Sequence, residues 1–291
     1  MKPPALIPGL SAIAARYDHV LLDQWGVLHD GHAIFPAAHA AVTALGRAGK
    51  RVLVLSNSGK RAAENAARLA RLGLAEDAYD GIVTSGEACW QLFQRRELPP
   101  FDRLGRRCLL VTRGGDRSVV EGLALSLTED IRSADFILLA GLDDALAKPE
   151  AWRQAWSEGV ARGLPMICAN PDLTMITADG LIPASGSLAR LYEELGGAVT
   201  YVGKPHAPIY EECLRLLGRP DPARVLAIGD SLDHDVRGGA GMGMGTVLIT
   251  SGILGSEFGT AASEAAMVET ALRLAGETGD SPDWLLPSLV W

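Results

Sequence analysis

The chain has 291 residues, 48% of them hydrophobic and 21% charged, with 35 Asp and Glu against 27 Lys and Arg for a formal net charge of −8. That apolar share excludes disorder along the whole chain, since disordered sequences carry too few apolar residues to offset ordering entropy. The acidic balance, with no dense Lys/Arg run, argues against nucleic acid or an anionic membrane surface as partner.

The longest apolar runs, such as Arg51–Ser56 and Phe136–Ala140, fall far short of the ~20 residues that span a bilayer. The start, Met1-Lys-Pro-Pro-Ala-Leu-Ile-Pro8, is broken by proline and has no continuous apolar stretch, so no secretory signal is expected. Cys89, Cys108, Cys168 and Cys213 lack CxxC spacing. Isolated thiols of this kind suit a reducing compartment, and a cytoplasmic protein is expected.

In chain order, His19–Asp23 reads as a buried strand, Pro36–Ala48 as a helix with proline in its first turn, and Arg51–Leu55 as a second strand. An Ala/Arg-rich helix near Lys60–Leu72 and a strand at Gly81–Thr84 follow. A second series has strands at Arg107–Thr112, Asp135–Ala140 and Pro165–Ala169, with helices near Val119–Leu123 and Pro149–Ala161. The first style then resumes with a helix near Ser187–Leu195, strand Val199–Val202, helix Pro208–Leu217, and strands Arg224–Ile228 and Thr246–Thr250. A long helix is expected near Glu257–Ala275.

Apolar runs without strict alternation suit a parallel sheet covered on both faces, and alternating strands and helices define an α/β, Rossmann-like, doubly wound fold. Boundaries near Ser85 and Ala184 divide it into a core, 1–84 and 185–291, and an inserted α/β domain, 85–184. The apolar tail Pro282–Trp291 suits either a last extended segment on the core or a contact in a homodimer.

Chemistry-bearing residues fall at the C-terminal ends of the expected strands, where open α/β sheets bind ligands. Asp23-Gln-Trp-Gly-Val27 follows the first strand, Ser56-Asn57 the second, Gly203-Lys204-Pro205 the strand at 199–202, and Gly229-Asp230-Ser-Leu-Asp-His-Asp235 the strand at 224–228. Taken singly, Asp23 suits a turn cap, Ser56 a loop, Lys204 a solvated charge, and the acids at 230, 233 and 235 a helix N-terminus. Together, a carboxylate nucleophile, a hydroxyl, a cation and an acidic metal site supply what phosphoryl transfer requires.

The four motifs, in this order, resemble those of the haloacid dehalogenase superfamily, and the long insertion resembles the α/β cap of its class IIA branch of pyridoxal-phosphate, nitrophenyl-phosphate and phosphoglycolate phosphatases. The resemblance implies that Asp23 becomes a phosphoaspartate, that Ser56 hydrogen-bonds the phosphoryl group with Asn57 shaping that loop, and that Lys204 neutralises charge. It further implies that Mg²⁺ is held by Asp23, the backbone carbonyl of Trp25 and Asp230, with Asp235 a further ligand or orienting a metal-bound water. The substrate implied is a small phosphorylated metabolite. Asn170, in an Asn170-Pro171-Asp172 turn that recurs in similar caps, is a substrate-facing candidate beside its ordinary role in a turn.

One position departs from the pattern. Phosphatases of this family carry a second aspartate two residues after the nucleophile, which protonates the leaving oxygen and then activates water; here it is Trp25. Indole offers only an N–H donor and shuttles no proton. His29 and Asp30 are substitutes by residue type, each also suited to a turn. The expectation is a slow or specialised phosphatase, with a weakened protein that binds a phosphorylated ligand as the alternative. Gly239–Gly245 is set aside as a dinucleotide loop because it precedes a strand instead of following one.

Overall fold

The computed structural model describes residues 2–177, 180–259 and 263–291. Its strands are β1 (Ala5–Leu6), β2 (His19–Asp23), β3 (Arg51–Ser56), β4 (Gly81–Thr84), β5 (Arg107–Val111), β6 (Ser126–Thr128), β7 (Phe136–Leu139), β8 (Met166–Cys168), β9 (Thr174–Thr177), β10 (Gly180–Pro183), β11 (Val199–Tyr201), β12 (Val225–Gly229), β13 (Gly245–Ile249) and β14 (Trp284–Leu286). The helices are α1 (Pro36–Arg47), α2 (Ala62–Leu72), α3 (Ser85–Arg95), α4 (Pro149–Ala161), α5 (Ser185–Glu194), α6 (Ala207–Leu216), α7 (Arg237–Gly241), α8 (Gly255–Phe258) and α9 (Glu264–Thr278). The chain divides into two compact units, one of residues up to Ser56, Ala63–Val83 and Tyr210–Trp291, the other of Asn57–Ala62 and Thr84–Ile209.

The first unit is built on a sheet in the order β1-β14-β13-β12-β2-β3-β4. Four consecutive residues of β3 and all five of β12 are buried, so these strands carry unbroken apolar runs in place of alternation. From β2 the chain winds outward through β3 to β4, then returns on the other side of β2 through β12, β13 and β14. The reversal therefore lies between β2 and β12, which pair in parallel with Leu21 opposite Ala227 and Leu22 opposite Ile228. A crevice at the carboxyl ends of such a strand pair is where doubly wound sheets place their ligands. The tail joins this sheet, with β14 parallel to β13 and β1 and with Leu285, Leu286 and Leu289 buried.

The second unit has its own parallel sheet, β11-β8-β7-β5-β6, and an antiparallel hairpin of β9 and β10. Trp156 of α4 and Tyr192 of α5 are fully buried against it with rings 5.8 Å apart in an edge-on arrangement. Their polar ends are satisfied: the Trp156 indole N–H donates to the Leu188 carbonyl at 3.0 Å and the Tyr192 hydroxyl to that of Leu164 at 2.7 Å.

The second unit exceeds the expected 85–184 segment at both ends. Val199–Tyr201, expected in the core, instead pairs with β8 in parallel, Val199 opposite Met166, and carries α5 with it. The helix expected over 257–275 is two pieces, α8 and α9: Gly259 takes φ +53° after α8, and the Ser263 side chain accepts from Ala266 N–H to start α9. The helix expected at 119–123 is a single 3₁₀ turn, Ser118–Val120. Gly239–Gly245 leads into a strand, as expected, and joins it to a helix, with α7 ending and Gly243 at φ +75° before β13. All four cysteines are buried. Among the described residues no helix is long and apolar enough to cross a membrane.

Candidate active site

Within the first unit the switch point gathers three carboxylates. Asp23 ends β2, Asp230 directly follows β12, and Asp235 lies on the single π-type turn Leu232–Val236 beyond it. One oxygen from each lies within 4.8 Å of the others, with Asp23 half-buried and the other two buried. Like charges this close repel strongly unless a cation separates them. The donors are all oxygen, which is what a hard divalent ion such as Mg²⁺ takes.

The cluster is held from both sides. Ile253 N–H donates to Asp230 Oδ2 at 2.8 Å and Ser231 N–H to Asp235 Oδ2 at 3.2 Å. Gly26, at φ +74°, leaves the room that Asp230 needs: a Cβ there would stand 2.0 Å from Asp230 Oδ2. Ser56, half-buried, ends the adjacent strand β3, where Leu55 pairs with Asp23.

Trp25 stands two residues past Asp23 with its side chain 48% exposed, and its indole is fixed by three neighbours. The Arg68 guanidinium of α2 lies 5.4 Å from the ring centroid, a cation–π distance. His29 meets the ring nearly edge-on at 5.3 Å. Gly31, at φ +91°, passes under the indole so closely that a Cβ would come within 2.4 Å of Cη2.

Neither expected substitute for the missing acid is placed as one. His29 is fully buried, and burial foremost, with Arg68 adding to it, pushes its imidazole down to about 4, so it is neutral at pH 7. Its Nδ1 accepts from Gly31 N–H at 3.0 Å, which commits the basic nitrogen of the ring to the loop. Asp30 caps its own turn, accepting from His32 N–H at 2.9 Å and Ala33 N–H at 3.0 Å. Those hydrogen bonds, from His32 first and then Ala33, hold its carboxyl below the usual range. A carboxylate kept ionised in this way is a poor proton donor.

The second unit holds Asn57, Lys204 and Asn170. Lys204 is only 3% exposed, which a lysine tolerates only with compensating partners. Its backbone N–H donates to Asn57 Oδ1 at 2.7 Å, and its carbonyl accepts from Asn57 Nδ2 at 3.1 Å. Asn170 Oδ1 accepts from Asp172 N–H at 2.9 Å, the turn role expected of the Asn-Pro-Asp run. Arg68, which meets the Trp25 ring, and Asp172, which meets Asn57, were not among the residues expected at the site. Arg68 left no local signal beyond its helix, whereas Asp172 lay in a motif singled out for Asn170 alone.

The fold and this site define a class. The haloacid dehalogenase-like hydrolase family matches residues 20–126, and a second HAD-hydrolase-like family matches 201–278. The chain belongs to the haloacid dehalogenase-like hydrolases, in their class IIA branch. It is 32% identical to chronophin of Mus musculus over 260 residues, 84% of each chain. A haloacid dehalogenase-like hydrolase from Brucella suis 1330 superposes with TM-score 0.79 at 32% identity over 98% of this chain and 100% of that one. Glycerol phosphate phosphatase from Mycobacterium tuberculosis, in complex with magnesium, superposes with TM-score 0.65 at 25% identity over 83% of this chain and 70% of that one. The chain is a hydrolase, and its relatives include proteins named as phosphatases.

Proposed function

We propose that the chain is a Mg²⁺-dependent phosphatase of a small phosphorylated metabolite, working through an aspartyl-phosphate on Asp23, and that Trp25 makes it slow or specialised. The observation that carries this reading is the carboxylate cluster Asp23–Asp230–Asp235 at the switch point of the first sheet. Asp23, Asp230, Asp235 and the Trp25 carbonyl would hold the ion, which, when bound, neutralises phosphoryl oxygens.

The remaining steps belong to the chain's own residues. An Asp23 oxygen forms a bond to phosphorus as the bond to the leaving oxygen breaks, and that oxygen departs with the electron pair. Ser56 donates to a phosphoryl oxygen and Lys204 supplies a positive charge, as the family's motif order assigns them. Water then forms a bond to phosphorus, the bond to Asp23 breaks, the carboxylate is restored, and inorganic phosphate leaves.

Trp25 occupies the position of the group that would protonate the leaving oxygen and later deprotonate the water. Such acid–base assistance is typically worth ~10²–10⁴-fold. Substrates whose leaving group departs as a stable anion, such as aryl phosphates, are therefore favoured in the first step, and the second step is left without its base. A second reading, a protein that binds a phosphorylated ligand without turning it over, is favoured by the same tryptophan and by the commitment of His29 and Asp30 elsewhere. Calorimetric binding with no phosphate release would support that reading, and sustained multiple turnover would end it.

The crowded carboxylates make a prediction independent of turnover. Mg²⁺ at about 100 times its dissociation constant should stabilise the fold by ~2.7 kcal/mol. In a thermal-unfolding series the midpoint should rise with Mg²⁺ and fall back on chelation. In Asp230→Asn the rise should be lost over the same concentrations. An equal rise in both proteins would place the ion elsewhere.

A further inference from the structure

Asn57 uses its whole side-chain amide inside the second unit. Oδ1 accepts from Lys204 N–H at 2.7 Å and from the Ser85 hydroxyl at 3.3 Å, while Nδ2 donates to the Lys204 carbonyl at 3.1 Å and to Asp172 Oδ1 at 2.7 Å. An amide has two donor hydrogens and two acceptor lone pairs, so all four positions are filled. The side chain is buried, only 7% exposed. Both backbone groups of Lys204 thus hang on one amide, and the Asn57 side chain has no donor or acceptor left for a phosphate.

An amide can rotate by half a turn and exchange its oxygen for its nitrogen, which here would set Nδ2–H against Lys204 N–H. Asp172 adds to the cost of that exchange, because its Oδ1 accepts from Nδ2 and would then face the amide oxygen. The aspartate is itself seated: its N–H donates to Asn170 Oδ1 at 2.9 Å and its carbonyl accepts from Gly186 N–H at 2.9 Å. The loop closes on the same group, since a Cβ on Gly203 would lie 2.5 Å from Pro171 Cδ, 2.6 Å from Ser85 Oγ and 2.7 Å from Asn57 Oδ1.

We propose that Asp172, acting through the Asn57 amide, is a positioning residue that fixes the backbone of Lys204 and so the place where its ammonium is presented. This rests on Lys204 holding phosphate, as proposed above. A catalytic group displaced by about 1 Å can lose ~10²-fold in rate. The Asn-Pro-Asp turn then acts on the reaction through its aspartate, with Asn170 serving to hold that aspartate.

The test is a double-mutant cycle of Asp172→Ala with Lys204→Ala, read as kcat and KM on nitrophenyl phosphate and as inhibition by inorganic phosphate. Asp172→Ala alone should lower kcat by ~10–100-fold, and Asp172→Asn should recover most of it, because its amide oxygen still accepts from Asn57. In the Lys204→Ala background Asp172→Ala should change either readout by less than about twofold, as expected for residues acting as a unit. Asn57→Ser enters the same cycle if Asp172→Ala does not fold. Equal losses in both backgrounds would overturn the proposal. A wild type without turnover would count against the phosphatase reading alone; the cycle is then read on phosphate affinity by calorimetry, where additivity, or no phosphate binding at all, overturns it.

Discussion

Trp25→Asp is expected to raise kcat on an alkyl phosphate by at least ~10²-fold, within the ~10²–10⁴-fold range of general acid–base catalysis. The argument is one of position and environment. The side chain is half-exposed and follows by two residues Asp23, which is one of a cluster of three carboxylates. A fourth carboxyl placed there meets like charges that raise its pKa, which suits it to donate a proton near neutrality. Arg68, 5.4 Å from the indole centroid, works in the opposite direction and limits that rise. The substitution forfeits the cation–π contact, about 0.5–1 kcal/mol at an exposed site, so the gain in rate should come with a small loss in thermal stability. Two controls separate acid catalysis from the mere opening of space. Trp25→Phe should show no gain on alkyl phosphates. The first-step gain in Trp25→Asp should be smaller for nitrophenyl phosphate, whose leaving group departs unprotonated.

Asp23→Asn should remove turnover by at least ~10⁴-fold, since losing the nucleophile of a covalent mechanism has cost up to ~10⁶-fold elsewhere. An amide oxygen is a far weaker nucleophile than a carboxylate oxygen, and the acyl phosphate has no equivalent on an amide. The fold should survive, because the substitution nearly preserves shape and removes one charge from a repelling group. The variant's unfolding midpoint without Mg²⁺ should therefore equal or exceed that of the wild type. Loss of activity with an unchanged or raised midpoint identifies a chemical role; loss with a lowered midpoint identifies a structural one.

The parts of the molecule that were legible in the sequence share a physical reason. Strands β2, β3 and β12 are buried in the middle of a sheet, so each reads as an apolar run that ends in a polar residue at the ligand-binding edge. Local sequence contains that pattern, and with it Asp23, Ser56 and Asp230. Strand β11 has three half-buried residues, and its sheet is chosen by pairing with β8, some thirty positions earlier, which no local window contains. The split between α8 and α9 turns on Gly259 at positive φ and the Ser263 cap, single-residue events that a run of good helix formers obscures. Arg68 reaches Trp25 only because α2 packs beside the loop after β2, and Asp172 meets Asn57 across 115 positions of chain. Long-range partners of this kind are invisible to motif order, which named Lys204 but not what holds it.

The central claim is that Asp23 accepts the phosphoryl group while Trp25 leaves its release unassisted, and rapid mixing of the wild type with nitrophenyl phosphate and Mg²⁺ tests it most directly. Nitrophenolate departs without a proton, so the first step proceeds and the second exposes the missing base. The account predicts a burst of nitrophenolate close to one equivalent per chain, then slow steady release, with no burst from Asp23→Asn. Rapid steady turnover with no burst would contradict it, because breakdown of the phosphoaspartate would then not be limiting.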